Sequence, residues 1–314
     1  MSVSTQLGFQ RIIKSAISDT LQPRNLCDSD FNASSEALPT SRSDREVTST
    51  LLLASKHRIM SIFSNISDLI TDVQPSSYSR SLEIDTGLND AFASIPEPCK
   101  HRSLSLSITD PPTLIFQRIY IQLLYHRAQI VLHQRYFALA RDFSHYDQSK
   151  AIVVQGALSI LHYQELIDEE SQPGGRFGSL LMQSSFMSHG FLLAASVVCF
   201  YIHYFMGRIE MTQLQEIEDV SRRTEAIWSR TTMVSTESLK AAQALTMVIH
   251  KIYRYKLAEQ DVTADTSTQL LVTGESSGKQ SRPYRSSETG LTVFRSLTPA
   301  SRIPTIIFRY DDSK

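Results

Sequence analysis

The sequence predicts an all-α protein, an irregular multi-helix bundle or array followed by a flexible C-terminal tail. Three observations support this fold class. Apolar residues recur every three or four positions along several long segments. No segment before Glu259 alternates apolar and polar residues with the period of two that is typical of strands, and no repeat of fixed length is visible. Hydrophobic residues make up 41% of the chain, which excludes a wholly disordered protein.

The first helices are separated by segments rich in proline and polar residues. An amphipathic helix is predicted over residues 10–21, a connector over 21–48, and a long helix over 47–73, where apolar residues recur at helical spacing. Residues 74–112 are predicted to be mostly turn and loop. The helix-breaking residues of that segment are Pro75, Pro96, Pro98, Pro111 and Pro112.

The remaining helices are predicted from the same periodicity. They cover residues 113–141, 148–167, 180–206, 211–230 and 238–257. The apolar run at 191–206 falls short of the roughly 20 residues needed to span a bilayer and contains His203. We therefore expect a central buried helix there and no membrane contact.

The C-terminal segment differs in composition from the helical part. Serine and threonine are frequent from Asp261 onwards, and apolar residues are scattered. The predicted domains are therefore a helical domain at 1–259 and a Ser/Thr-rich flexible tail at 260–314. A short apolar run at 303–310 is a candidate strand or docking segment, although Pro304 weakens that interpretation.

Composition excludes several classes of protein. The net charge is −1, from 31 basic and 32 acidic residues, so the chain has no overall positive field for a nucleic acid backbone. The three cysteines, Cys27, Cys99 and Cys199, are widely separated. They exclude a disulfide scaffold and a cysteine-rich zinc cluster within this chain.

No catalytic motif is visible. His126 and His133 stand two turns apart on one helix face but lack further ligands, so no metal or cofactor is predicted. Arg118, Arg127 and Arg135 form a loose basic stripe on the same helix. This stripe could face an acidic partner or an effector. Alternatively, it is a solvated face, or its arginines pair with buried carboxylates elsewhere in the bundle.

Three blocks of sequence together carry a family resemblance. They read LQPRNLCDSDF at residues 21–31, YIQLLYHRAQIVLHQR at 120–135 and SSFMSHGFLLAA at 184–195. In this order they resemble the fungal-specific transcription factor domain, the regulatory middle domain of fungal zinc-cluster activators. Gln134 and Arg135 stand where the family often has Arg and Pro, and Gly190 replaces a common Asp.

The resemblance implies a nuclear transcription regulator, not an enzyme, which controls a pathway-specific gene set such as a secondary-metabolite cluster. The family's zinc cluster and the first half of its regulatory domain are not found in this sequence. We therefore expect contact with DNA only indirectly, through the transcription machinery or a DNA-binding relative. A homodimer is compatible with this expectation. The alternatives are an all-α cofactor-binding enzyme and a truncated, non-functional remnant.

An effector or partner site is expected on two of the predicted helices. Residues 113–141 and 180–206 would form its walls. Its polar groups would be Tyr125, His126, His133, Arg135 and His189.

Overall fold

A computed structural model describes residues 22–72, 76–178, 185–230 and 236–272, together with two short strands. The helices are α1 Ser49–Thr71, α2 Tyr78–Ala93, α3 Pro112–Leu139, α4 Asp147–Ser171, α5 Ser185–Phe205, α6 Met211–Arg230 and α7 Thr236–Val272. Strand β1 (Val293–Phe294) pairs antiparallel with β2 (Ile307–Phe308). The predicted all-α fold class is confirmed. The helix predicted at residues 10–21 lies outside the described residues.

The chain divides into two compact units, the first extending to Val198 and the second beginning at Cys199. In the first unit, α1 packs against α2 and α3, and α3 lies along α4. In the second unit, α6 packs against α7. The division predicted between residues 259 and 260 stays a prediction.

The core between α1, α2 and α3 follows from their apolar spacing. Its fully buried members include Ile59 and Ile66 of α1, Leu88 of α2 and Ala128 of α3. Helix α3 approaches α4 closely at Gly156, where an added Cβ would lie 3.3 Å from the Ile130 side chain. A side chain at this position would require the Ile130 side chain to shift by a few tenths of an ångström.

Helix α2 corrects the expectation of turn and loop over residues 74–112. It begins after Ser77, whose hydroxyl accepts a hydrogen bond from the Arg80 amide at 3.3 Å. Its buried residues are Ser81, Asp85 and Leu88, two of them polar. Ile84, Leu88, Ala91 and Phe92 recur at helical spacing and pack against the core, but the buried Ser81 and Asp85 interrupt the apolar face, and the periodicity was missed. The rest of the segment holds two 3₁₀ turns, Glu97–Cys99 and Leu104–Ser107.

Helix α5 and the turn after it form the most apolar segment of the described chain. Met187–Arg208 has a mean hydropathy of 1.6 and is long enough to cross a membrane by length and composition alone. Within its 18-residue apolar window, 56% is buried inside the fold.

Helix α7 is longer than predicted. It passes Leu257 and continues to Val272. Strand β2 lies within the candidate strand at 303–310. Apart from these elements, the predicted tail lies outside the described residues.

Candidate functional site

The connector before α1 is folded around the side chain of Asn25, which is 5% exposed. Its Nδ2 donates to the carbonyl oxygens of Ser43, at 2.9 Å, and Glu46, at 3.1 Å. Its Oδ1 accepts a hydrogen bond from the Thr48 hydroxyl at 2.5 Å. The Thr48 oxygen in turn accepts from the Leu51 amide at 3.0 Å and caps the first turn of α1. Asn25 thus links the path of the connector to the start of a core helix.

A second set of contacts holds the same connector. Arg42 donates from Nε and Nη2 to the carboxylate of Asp30, at 2.7 and 2.5 Å. The Cys27 amide donates to the same carboxylate at 2.8 Å. The Arg42 hydrogen bond, helped by the Cys27 amide, lowers the pKa of Asp30 to about 2. Arg24 closes the loop by donating to the carbonyl oxygens of Leu38 and Pro39.

A buried polar chain joins α2, α3 and α4 at His133, which is 0% exposed. Its Nδ1 lies 2.9 Å from the hydroxyl of Ser149 on α4. Its Nε2 lies 3.3 Å from Oδ1 of Asp85 on α2, close enough for an electrostatic contact but without the geometry of a hydrogen bond. The hydroxyl of Tyr78, at the start of α2, lies 3.0 Å from the Ser149 hydroxyl. Polar side chains therefore join three helices where apolar packing would be usual.

The chain continues from Asp85 towards the surface. Asn89 donates to Asp85 at 3.2 Å, and the Tyr125 hydroxyl donates to Asn89 at 2.7 Å. Gln129 donates to the Tyr125 oxygen at 3.0 Å, and its own oxygen lies 3.3 Å from Nδ1 of His126. We call these residues the α2–α4 polar network. Its members are Tyr78, Asp85, Asn89, Tyr125, His126, Gln129, His133 and Ser149.

Three of the five predicted site residues thus lie in one network, namely Tyr125, His126 and His133. Desolvation lowers the pKa of His126 to about 4, so its ring is neutral at neutral pH. The other two predicted residues, Arg135 and His189, are exposed, and none of the network contacts involves them.

The basic stripe predicted on α3 is not a continuous surface. Arg118 is 2% exposed and pairs with Asp110 at 2.5 Å. Arg127 is 8% exposed. Arg118 therefore pairs with a carboxylate as one interpretation expected, although Asp110 is only partly buried, and of the three arginines only Arg135 is exposed.

Ser149, His133 and Asp85 have the residue types of a hydrolase triad, but their geometry does not suit catalysis. In such triads Nε2 of the histidine faces the serine and Nδ1 faces the acid, whereas here the two nitrogens are exchanged. Ser149 and His133 are both 0% exposed, so no substrate carbonyl can reach the hydroxyl. We therefore assign these residues a structural role, which is to join α2, α3 and α4.

Sequence reasoning missed the partners in this network. Asp85 lies in a segment predicted to be loop, and Ser149 stands near the start of α4 with no motif around it. The clearest signal of the network in the sequence was His133, because it stands on the apolar side of α3 and a buried histidine needs a hydrogen-bond partner.

Two open grooves lie in the part of the chain that the structure describes. One, of about 240 Å³, adjoins the connector and includes Asn25, Asp44 and Arg58 in its lining. The other, of about 380 Å³, lies between α6 and α7. It is lined by Arg222, Glu225, Thr246, Ile249, His250 and Tyr253. Neither is lined by the predicted site residues, and an effector pocket between α3 and α5 stays a prediction. No group of three metal-ligating side chains occurs among the described residues.

Comparison with known proteins identifies relatives. The pyrrolocin cluster transcription factor fsdR of Fungal sp. (strain NRRL 50135) is 35% identical over 261 residues, 79% of this chain and 34% of the relative. The Zn(2)-C6 fungal-type transcription factor mpsB of Macrophomina phaseolina is 34% identical over 262 residues, 80% of this chain and 35% of the relative. Over most of its length, this chain is similar to fungal transcription factors.

A third such transcription factor, the equisetin cluster factor eqxF of Fusarium heterosporum, is 33% identical over 80% of this chain and 37% of its own length. This chain spans about a third of the length of these fungal transcription factors. No family model matches the chain, and no solved structure matches it.

Proposed function

We propose that this chain acts as the helical regulatory part of a fungal transcription regulator that controls a pathway-specific gene set, such as a secondary-metabolite biosynthetic cluster. The observation that carries the proposal is the identity of 33–35% between this chain and the pyrrolocin and equisetin cluster transcription factors, across about four fifths of this chain. The resemblance of the connector, α3 and α5 to the fungal-specific transcription factor domain supports the same function.

The described geometry favours regulation through protein contacts over catalysis. The triad-like residues are buried, and the polar network joins helices instead of lining an open site. We propose that the chain works in the nucleus and is not an enzyme. It would reach DNA through the transcription machinery or a DNA-binding relative, either as a monomer or as a dimer.

The test is disruption of the gene in its native fungus, followed by measurement of transcripts from the neighbouring biosynthetic genes. We expect those transcripts to fall and to recover when the wild-type gene is returned. Recovery should fail with Asn25→Ala, which removes the connector contacts, and succeed with Asn32→Ala, an exposed residue of the same connector. Unchanged cluster transcripts after disruption would contradict the proposal.

We also propose that Tyr125 and His126 form the accessible end of an effector or partner site, with His133 behind them and with Arg135 and His189 as further polar groups. Both Tyr125 and His126 are partly exposed, and the network connects them to the buried His133. Tyr125→Phe removes only a hydroxyl, so the fold should persist. Lost cluster transcription with an unchanged melting temperature supports this site, whereas full transcription from Tyr125→Phe and from His126→Gln argues against it.

A further inference from the structure

One seven-residue pattern occurs twice in the sequence. It reads KHRIMSI at residues 56–62 and KHRSLSL at residues 100–106. Each copy places an arginine three residues before a serine, Ser61 or Ser105, and an apolar residue directly after it. Arginine-directed serine kinases bind this spacing because carboxylates in the substrate groove hold the guanidinium group and an apolar pocket takes the next side chain.

The fold presents the two serines very differently. Ser61 lies inside α1, is half-buried, and is followed by Ile62, which packs against the core. Ser105 lies in the 3₁₀ turn Leu104–Ser107 and is exposed. Leu106, which follows it, is 71% exposed. The same local sequence is therefore sequestered in one copy and accessible in the other.

Few backbone hydrogen bonds oppose an extended conformation around Ser105. The Leu106 amide donates to the Ser103 carbonyl at 3.0 Å, and Arg176 donates to the Leu104 carbonyl at 3.4 Å. The Ser103 hydroxyl lies 2.9 Å from that of Ser105. Ser61 could bind a kinase in an extended conformation only if the backbone hydrogen bonds of a core helix were broken. This local unfolding costs far more free energy than the opening of the turn at Ser105.

The arginine that a kinase would bind is also available. The side chain of Arg102 is 45% exposed and lies 3.1 Å from Asp110. An exposed pair of this kind contributes little to stability. If Arg102 moves away, Asp110 keeps its bond to the buried Arg118 at 2.5 Å, so no buried charge is left unpaired.

We propose that Ser105 is a phosphorylation site for an arginine-directed serine kinase, and that Ser61 is not a substrate in the folded chain. The γ-phosphoryl group of Mg-ATP passes to the Ser105 hydroxyl oxygen, the bond between that phosphorus and the β-phosphate oxygen breaks, and ADP leaves. The hydroxyl proton goes to the catalytic aspartate of the kinase.

The added phosphate changes the character of one surface. Leu106 and Ile108, which follow Ser105 by one and three residues, are 71% and 73% exposed. A phosphate with a charge of about −2 on Ser105 attracts Arg102 and makes contacts through these exposed apolar side chains dependent on phosphorylation. This inference concerns the loop itself and does not rest on the proposed function.

The first experiment incubates the full chain with a purified calmodulin-dependent protein kinase and Mg-ATP, and maps the phosphate by mass spectrometry. Peptides covering residues 54–66 and 98–110 are treated in parallel as unfolded controls. We expect similar rates for the two peptides but, in the folded chain, phosphorylation of Ser105 at least about tenfold faster than that of Ser61. Arg102→Gln should slow Ser105 phosphorylation, whereas Ser61→Ala should leave it unchanged.

Several results would overturn the assignment. Equal rates at Ser61 and Ser105 in the folded chain would show that the fold does not discriminate. If the two peptides show the same ratio of phosphorylation rates as the folded chain, the preference for Ser105 comes from the local sequence and not from the fold. The second experiment maps phosphate on the chain purified from its native cells, where phosphate on Ser105 and none on Ser61 supports the proposal. Phosphate on Ser61, or on neither serine, contradicts it.

Discussion

Replacing Asn25 by alanine should destabilise the fold far more than its position in a connector suggests. The change removes two donors that bind the Ser43 and Glu46 carbonyls and one acceptor for the Thr48 hydroxyl. A hydrogen bond contributes about 0.5–1.5 kcal/mol net, and more when its buried partners are left unsatisfied. Asn25 is 5% exposed, so water cannot replace it freely, and we expect a loss of about 2–4 kcal/mol.

The matched control for Asn25→Ala is Asn32→Ala in the same connector. Asn32 is exposed, and its side chain accepts one hydrogen bond from the Ser34 amide at 2.9 Å. We expect this control to cost about 0.5 kcal/mol or less. Asn25→Asp is a second probe, because it keeps the shape and the acceptor but places a carboxylate against two carbonyl oxygens. It should destabilise at least as much as Asn25→Ala.

Urea unfolding followed by far-ultraviolet circular dichroism measures these differences. Amide hydrogen exchange at Leu51 gives a local readout, because Thr48, which caps this amide, is itself held by Asn25. Exchange at Leu51 should accelerate in Asn25→Ala and not in Asn32→Ala. If the two alanine variants differ by less than about 1 kcal/mol, the connector is not held as we describe.

Four further variants test two histidines of the α2–α4 polar network and two glycines. Burial lowers the pKa of His126 to about 4 in the folded chain, whereas the unfolded chain takes up this proton near pH 6.5. The free energy of unfolding should therefore be highest above pH 6.5 and should fall as the pH is lowered towards 4. His126→Gln should reduce the fall in urea midpoint between pH 7 and pH 5, and an unchanged fall would contradict this. His133→Ala leaves a cavity in the core and removes the contact of the buried Ser149 hydroxyl, and it should cost about 2–4 kcal/mol, against about 0.5 kcal/mol or less for the exposed His57→Ala, by thermal unfolding. Gly87→Ala should stabilise by about 0.5–1 kcal/mol, because an added Cβ on helix α2 meets nothing within 4 Å. Gly175→Ala should lower the melting temperature, because its Cβ would clash with a backbone oxygen at the end of α4. If both glycine variants change the melting temperature in the same direction, this reasoning is wrong.

Periodicity predicted the helices that bury apolar faces. Helix α6 has the predicted bounds because Leu214, Ile217 and Val220 recur at helical spacing and are all buried. Helix α2 was missed because its inner face carries the polar Ser81 and Asp85, which face Tyr136 and His133 of α3. A hydrogen bond between distant segments leaves no period in the sequence.

The candidate site was predicted only in part, for the same physical reason. Tyr125, His126 and His133 lie on one helix, so their spacing placed them together. Their contacts with Asp85 and Ser149 depend on how α2 and α4 pack against α3, which local sequence does not specify. Of the interpretations of the basic stripe, pairing with a carboxylate holds for Arg118, and the partner Asp110 could not be named from the sequence because it lies eight residues away in a loop.

The polar inner face of α2 also limits how this protein can diverge over evolutionary time. An apolar core accepts single conservative exchanges, because one aliphatic side chain can replace another at modest cost. Ser81 and Tyr136 share a hydrogen bond at 3.1 Å, and Asp85 faces His133, so a change on one side strands a buried partner on the other. Among homologues we therefore expect these positions to vary as pairs, with residues 81 and 136 changing together and residues 85 and 133 changing together.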